Sequence, residues 1–183
     1  MYWDHENRLT AVETDTDVTE EAYRWRRELV YDGLGRLRIR KDYDWFSGWG
    51  WYPVRTTYYL YDSWLLVQER SSPTYPTATY VWRPDLSGTV GGAGGIGGLL
   101  ARSTGYNRST GTWSTHRYYH CDAMGNIMAM IDADGNVKAA YQYDPYGRLR
   151  GWTGPEADDN PFRFSTKLWL DFGPVYYKNT ISI

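Results

Sequence analysis

Short apolar and aromatic runs, cut at intervals by Asp, Gly, Asn and Pro, make up most of this chain. Thr56 to Tyr61, Thr77 to Trp82, Arg117 to His120, Asn126 to Ile131 and Ala139 to Tyr143 each have the length and composition of a β-strand. A helix competes only from Thr19 to Arg27. Trp25 and Val30, in a run continuing to Tyr31, favour a strand there. The pattern predicts an all-β fold with little helix.

The cuts between these runs repeat. The unit is a tyrosine or its equivalent, then Asp-x-x-Gly, then a polar and an apolar residue. Clear copies are Tyr31-Asp32-Gly33-Leu34-Gly35-Arg36-Leu37, Asp122-Ala123-Met124-Gly125-Asn126-Ile127, Asp132-Ala133-Asp134-Gly135-Asn136-Val137 and Tyr143-Asp144-Pro145-Tyr146-Gly147-Arg148-Leu149. Asp85-Leu86-Ser87-Gly88 is a looser copy, and Trp3-Asp4-His5-Glu6-Asn7 carries Asn in the glycine position. In a type I turn closed by a bulge, the leading Asp accepts from backbone N–H groups ahead of it, and the fourth residue takes positive φ, which Gly and then Asn tolerate best. Asp-x-x-Gly is therefore a hairpin tip, and the fixed φ of Pro145 suits the second position of one. From Asp122 to Asp132 to Asp144 is ten and then twelve residues, room for one strand of about six to eight residues between tips. The chain reads as an antiparallel β-hairpin meander, a single strip over 1–183, with Tyr31, Tyr119, Tyr141 and Tyr143 packing beside the tips. The glycine-rich stretch 87–98 is expected to be an extended loop or strand dividing an irregular first half from a more regular second half.

Composition sharpens this picture. There are 18 tyrosines and 10 tryptophans against 4 phenylalanines, with 19 glycines and 8 prolines, a mixture suited to pleated surfaces and turns. A formal net charge of -2 gives no basic surface for nucleic acid. No apolar run approaches the ~20 residues of a membrane-spanning helix, and the polar, acidic opening Met1-Tyr2-Trp3-Asp4 is unlike a signal peptide. The lone Cys121 leaves the redox compartment open and reads as a small strand residue.

Candidate chemistry is sparse. His116 and His120 would share one face of a strand beside Cys121, short of a closed zinc set of three or four ligands. Gly92-x-Gly94-x-x-Gly97 matches the dinucleotide fingerprint without the strand and helix that give it meaning. Turn formation already accounts for the tip aspartates, and neither a Gly-x-Ser-x-Gly elbow nor a triad spacing occurs. Neither a metal, a cofactor nor a catalytic residue is expected. Trp45, Trp49, Trp51 and Tyr52, with Gly48 and Gly50, sit in a segment too glycine-rich for an ordinary strand. They either fill a sheet face and cap a hairpin or form an exposed platform for a sugar or protein partner.

The Tyr-Asp-x-x-Gly-Arg units, the run Val137 to Arg148 and the segment Asn160-Pro161-Phe162-Arg163-Phe164-Ser165-Thr166-Lys167 together resemble the RHS/YD-repeat family, near the C-terminal end of its core. The resemblance spans roughly residues 1–177. It implies hairpins joined into a long β-strip that spirals into a hollow shell, which encloses a toxin domain in bacterial polymorphic toxins and insecticidal toxin complexes. Family members usually continue through a Glu-Thr-Gly-Leu-Tyr-Tyr stretch, an Arg-Tyr-Tyr-Asp-Pro box and a self-cleavage segment. This chain reads Asp171-Phe172-Gly173-Pro174-Val175-Tyr176-Tyr177-Lys178-Asn179, with Tyr176-Tyr177 as the remnant and no counterpart of the self-cleaving aspartate pair. The resemblance implies a non-catalytic shell segment, secreted or at the cell surface. Its partners would be neighbouring repeats or other copies at the sheet edges, and an enclosed effector. A surface module binding glycan or protein through Trp and Tyr is the alternative, and a displaced or decayed gene fragment a further one.

Overall fold

The structure, a computed structural model, describes residues 1–14, 24–170 and 173–174. Among them every regular element but one short 3-10 turn is a strand: β1 Tyr2–Trp3, β2 Leu9–Glu13, β3 Trp25–Tyr31, β4 Leu37–Phe46, β5 Gly50–Asp62, β6 Leu65–Ser72, β7 Tyr75–Trp82, β8 Leu99–Asn107, β9 Thr112–Cys121, β10 Ile127–Ile131, β11 Val137–Tyr143, β12 Leu149–Thr153, β13 Trp169–Leu170 and β14 Gly173–Pro174. β1 to β12 form one antiparallel sheet in strict chain order, and β13 pairs with β14. The all-β meander expected from the repeat is the fold. Strand order follows largely from the tips, because a two- to five-residue turn pairs a strand with the one before it; only the β2–β3 and β7–β8 connections, residues 14–24 and 83–98, are longer.

Contacts divide the chain into two compact units, Met1–Leu60 with Glu69–Pro76, and Tyr61–Gln68 with Thr77 onward. The glycine-rich stretch lies within the second.

In the first unit Ala11, Val12, Leu29, Leu37 and Tyr59 are buried, and so is a carboxylate. Asp42 lies opposite Arg27 on β3 and Arg55 on β5. It accepts from Nε of Arg40 and of Arg55, each at 2.6 Å. An isolated carboxylate there would be prohibitively costly, so the flanking guanidiniums are what allow its burial.

In the second unit alternate residues of successive strands, among them Ala78, Tyr80, Tyr119, Met130, Ala139 and Tyr141, are buried together with Ala157, Phe162, Leu168 and Leu170 of the segment that follows β12. Period-two alternation puts these side chains on one sheet face.

Two local expectations change. Residues 87–98 are not extended: they fold into consecutive turns. Asp85 explains this, since its carboxylate draws in the N–H groups of Ser87, Ala93 and Gly95 at 2.8–3.0 Å. The Trp-rich segment, expected to be too glycine-rich for an ordinary strand, is a hairpin in which Trp45 and Phe46 close β4, Trp51 and Tyr52 follow Gly50 at the start of β5 and Trp49 sits in the turn. Gly48 and Gly50 take positive φ there and supply the turn instead of breaking the strands. Trp25–Tyr31 is strand, while residues 19–23 of that ambiguous run, and Asp171, Phe172 and 175–179 of the C-terminal stretch, lie outside the described residues.

Candidate functional site

The tips have a common construction. Asp32, Asp122, Asp132 and Asp144 each accept, on one carboxylate oxygen, the N–H groups two and four residues ahead, at 2.9–3.0 Å. The Asp N–H donates to the carbonyl four residues on, and its own carbonyl accepts from Gly35, Gly125, Gly135 or Gly147. Asp4 and Asn7 reproduce the pattern. Asp85 and Gly88 do so in part, with Ser87 and the glycine run taking the other carboxylate contacts. The tip glycines, Gly88 included, have φ between +79° and +84°, and Asn7 has +60°.

At four of the tips the polar residue after the glycine, or after Asn7, also acquires a reason. Arg8, Arg36, Asn126 and Asn136 turn their side chains back to the Asp carboxylate. Burial raises the pKa of Asp32, Asp85 and Asp122, but hydrogen bonds outweigh it and leave all three below the ordinary 3.8. The donors are Arg36 with Leu34, Ser87 with Gly95 and Ala93, and Asn126 with Met124 and Gly125. The Lys138 ammonium, 2.9 Å away, together with Asn136, depresses Asp132 most strongly.

The tyrosine of the unit ties hairpins together. The Tyr143 hydroxyl donates to the Ile127 carbonyl at 3.1 Å, and the Tyr31 hydroxyl to the Leu9 carbonyl at 2.9 Å. Each acceptor lies five residues after the Asp of an earlier tip, so the same bond recurs in both units. Tyr119 and Tyr141 serve a different purpose, donating to Asn160 Oδ1 and the Ala157 carbonyl.

Those two acceptors belong to a segment, 157–170, that lies across the second unit as a staple. Phe162 packs edge-on against Tyr80 and Trp82 of β7. Phe164 meets Tyr143 of β11. Ser165 N–H donates to Asn126 Oδ1, and Thr166 Oγ1 donates to the Gly125 carbonyl while accepting from Gly97 N–H. Arg163 lies over the rings of Tyr141 and Trp169. Sequence reasoning used this stretch only as a mark of family resemblance. The overlooked signal was a repeat-free Asn-Pro-Phe-Arg-Phe-Ser-Thr-Lys, whose aromatics alternate with groups able to satisfy buried backbone.

The aromatic hairpin is built from cross-strand pairs. Trp45 and Trp51 face each other with ring centroids 5.1 Å apart, and Phe46 meets Tyr52 at 5.7 Å, both edge to face. Trp49 is 83% exposed, Tyr52 53% and Phe46 50%.

His116 Nδ1 pairs with Ser103 Oγ at 2.8 Å. Burial raises the Cys121 thiol pKa, which disfavours a reactive thiolate. Gly97 of the fingerprint match serves Thr166, as above. Among the described residues no three His, Cys, Asp or Glu side chains cluster as a metal site, and no helix is long and apolar enough to cross a membrane.

No family model and no curated protein matches the chain. In structure it is similar to a chain of the crystal structure of TcdB2-TccC3, with a TM-score of 0.57 and 17% sequence identity over 96% of this chain and 8% of that one. The chain thus spans a small fraction of the length of the protein it matches. At that identity the likeness is one of fold: this chain folds as an antiparallel meander similar to a short section of a far longer protein.

Proposed function

We propose that this chain is a section of an RHS/YD-repeat shell, a structural strip that encloses, displays or delivers a toxin or effector and performs no catalysis itself. One observation carries the reading. The same Asp-x-x-Gly tip, with the same tyrosine bond to an earlier hairpin, recurs in both units of a sheet whose strands follow chain order. Such a sheet grows by adding hairpins and has no intrinsic end. The likeness to 8% of a much longer chain supports the same view. The tip carboxylates are held by backbone donors, as a scaffold requires.

The test is to read the coding sequence outward from both ends. In-frame Tyr-Asp repeats upstream, with an Arg-Tyr-Tyr-Asp-Pro box and an effector downstream, are the expected result. An isolated gene with no repeats on either side would overturn the proposal.

The exposed Trp49, Tyr52 and Phe46 favour a second reading, a surface module for glycan or protein. It predicts a monomer whose Trp fluorescence shifts with oligosaccharide and stops shifting in Trp49→Ala. An unchanged spectrum across a glycan panel would remove the glycan form of that reading.

A further inference from the structure

A cavity of about 450 Å3 opens beside the staple, within the second unit, in the size range of small-molecule sites. Tyr61, Trp64, Leu66, Trp82 and Phe162 give it apolar and aromatic walls, and residues 91–94 of the glycine-rich loop close one side. Lys167 is the one charged residue of the lining.

The state of that lysine is the informative feature. Lys167 is 7% exposed. Its ammonium has three donors, yet among the described residues it makes one hydrogen bond, to the Gly94 carbonyl at 3.2 Å. Asp85 is the acid whose field reaches it. That carboxylate is already engaged by the N–H groups of Ser87, Ala93 and Gly95 and by Ser87 Oγ. Among the described residues no ion pair reaches Lys167. Burial correspondingly lowers its pKa, with Asp85 opposing. A buried ammonium with one neutral acceptor is strongly disfavoured unless a counter-charge completes it, and the cavity it lines is the place from which one can approach.

We propose that this cavity binds a small organic monoacid, with the carboxylate on the Lys167 ammonium and a ring-sized apolar body against Trp64, Trp82 and Phe162. A single cation among apolar walls fits one negative charge and disfavours a phosphate dianion, which draws on several donors. Lys167, Trp64, Trp82 and Phe162 are not themselves tip residues, so the proposal does not rest on the scaffold reading.

The test is isothermal titration of the full chain with 2-naphthoate and with its neutral counterpart, 2-naphthamide. The acid is expected to bind at least roughly tenfold more tightly than the amide, the difference a charge-assisted hydrogen bond provides. In Lys167→Met the acid should lose about that factor, with amide binding unchanged. Equal affinities for acid and amide, undiminished acid binding in Lys167→Met, or no heat from either ligand would each overturn the proposal. The acid and amide comparison on the unaltered chain decides the matter even if the variant fails to fold.

Discussion

Gly125 and Gly135 occupy the same position of the same turn, but their surroundings differ. Each has positive φ. A Cβ on Gly135 would meet nothing within 4 Å, whereas one on Gly125 would lie 2.5 Å from Ile96 Cγ2 and 2.8 Å from Gly97 N. Gly135→Ala should therefore cost only the backbone penalty, roughly 1 kcal/mol. Gly125→Ala adds overpacking against the glycine run and should cost roughly 2–4 kcal/mol in all. Urea denaturation of both variants checks the difference, and equal losses would contradict it. The tip aspartates set an acid limit. Asp32, Asp85, Asp122 and Asp132 have folded pKa values below the ordinary 3.8, so the unfolded chain takes up protons first as pH falls. Their stabilisation is complete above that value and is lost as pH drops through the folded values. Asp122→Ala abandons two backbone donors and the Asn126 amide, and should cost about 1–2 kcal/mol at neutral pH. It should also flatten the acid side of a melting-temperature profile, which a pH series of thermal melts measures.

At the scale of elements, bonds that skip between hairpins add to the ladder of each hairpin in the second unit. Tyr143→Phe removes only a hydroxyl, leaving the Ile127 carbonyl without its side-chain donor, and should cost roughly 1 kcal/mol. Phe162→Ala withdraws a ring that is 3% exposed from between Tyr80 and Trp82. The loss should be about 3–5 kcal/mol, the usual cost of a buried phenylalanine. Thermal melts rank the two, and a smaller effect for Phe162→Ala would mean that the staple is dispensable. The elements themselves were legible in the sequence, since Asp-x-x-Gly encodes its turn through local hydrogen bonds and local φ. The staple was not, because Asn160, Thr166 and Lys167 find their partners 41 to 73 residues away and no local pattern announces such a bond.

For the whole molecule, the open question is what meets the outer strands of the sheet. β1 has only 2 residues and makes a blunt edge, while β12 presents 5. On the proposed shell reading these edges are where neighbouring repeats or further copies join. Sedimentation velocity over a concentration series should then show association that grows with concentration, and adding the adjoining repeats in one polypeptide should suppress it. A monomer at every concentration would instead favour the surface-module reading.

The sequence by itself determined the β-class, the turn chemistry and the order of strands, because each depends on residues close together in the chain. Asp at the first tip position and Gly or Asn at the fourth suffice for a hairpin, and hairpins in series suffice for a meander. Tertiary structure decided the rest. It folded residues 87–98 around Asp85, set Trp45 and Trp51 edge to face as a strand pair, buried Asp42 among arginines, and laid 157–170 across the second unit. It also enclosed Lys167 beside an aromatic cavity. The staple and the Lys167 cavity follow from burial, which brings together groups distant in the chain, and throughout the cost of leaving a buried charge or backbone group unpaired selects among the possible arrangements.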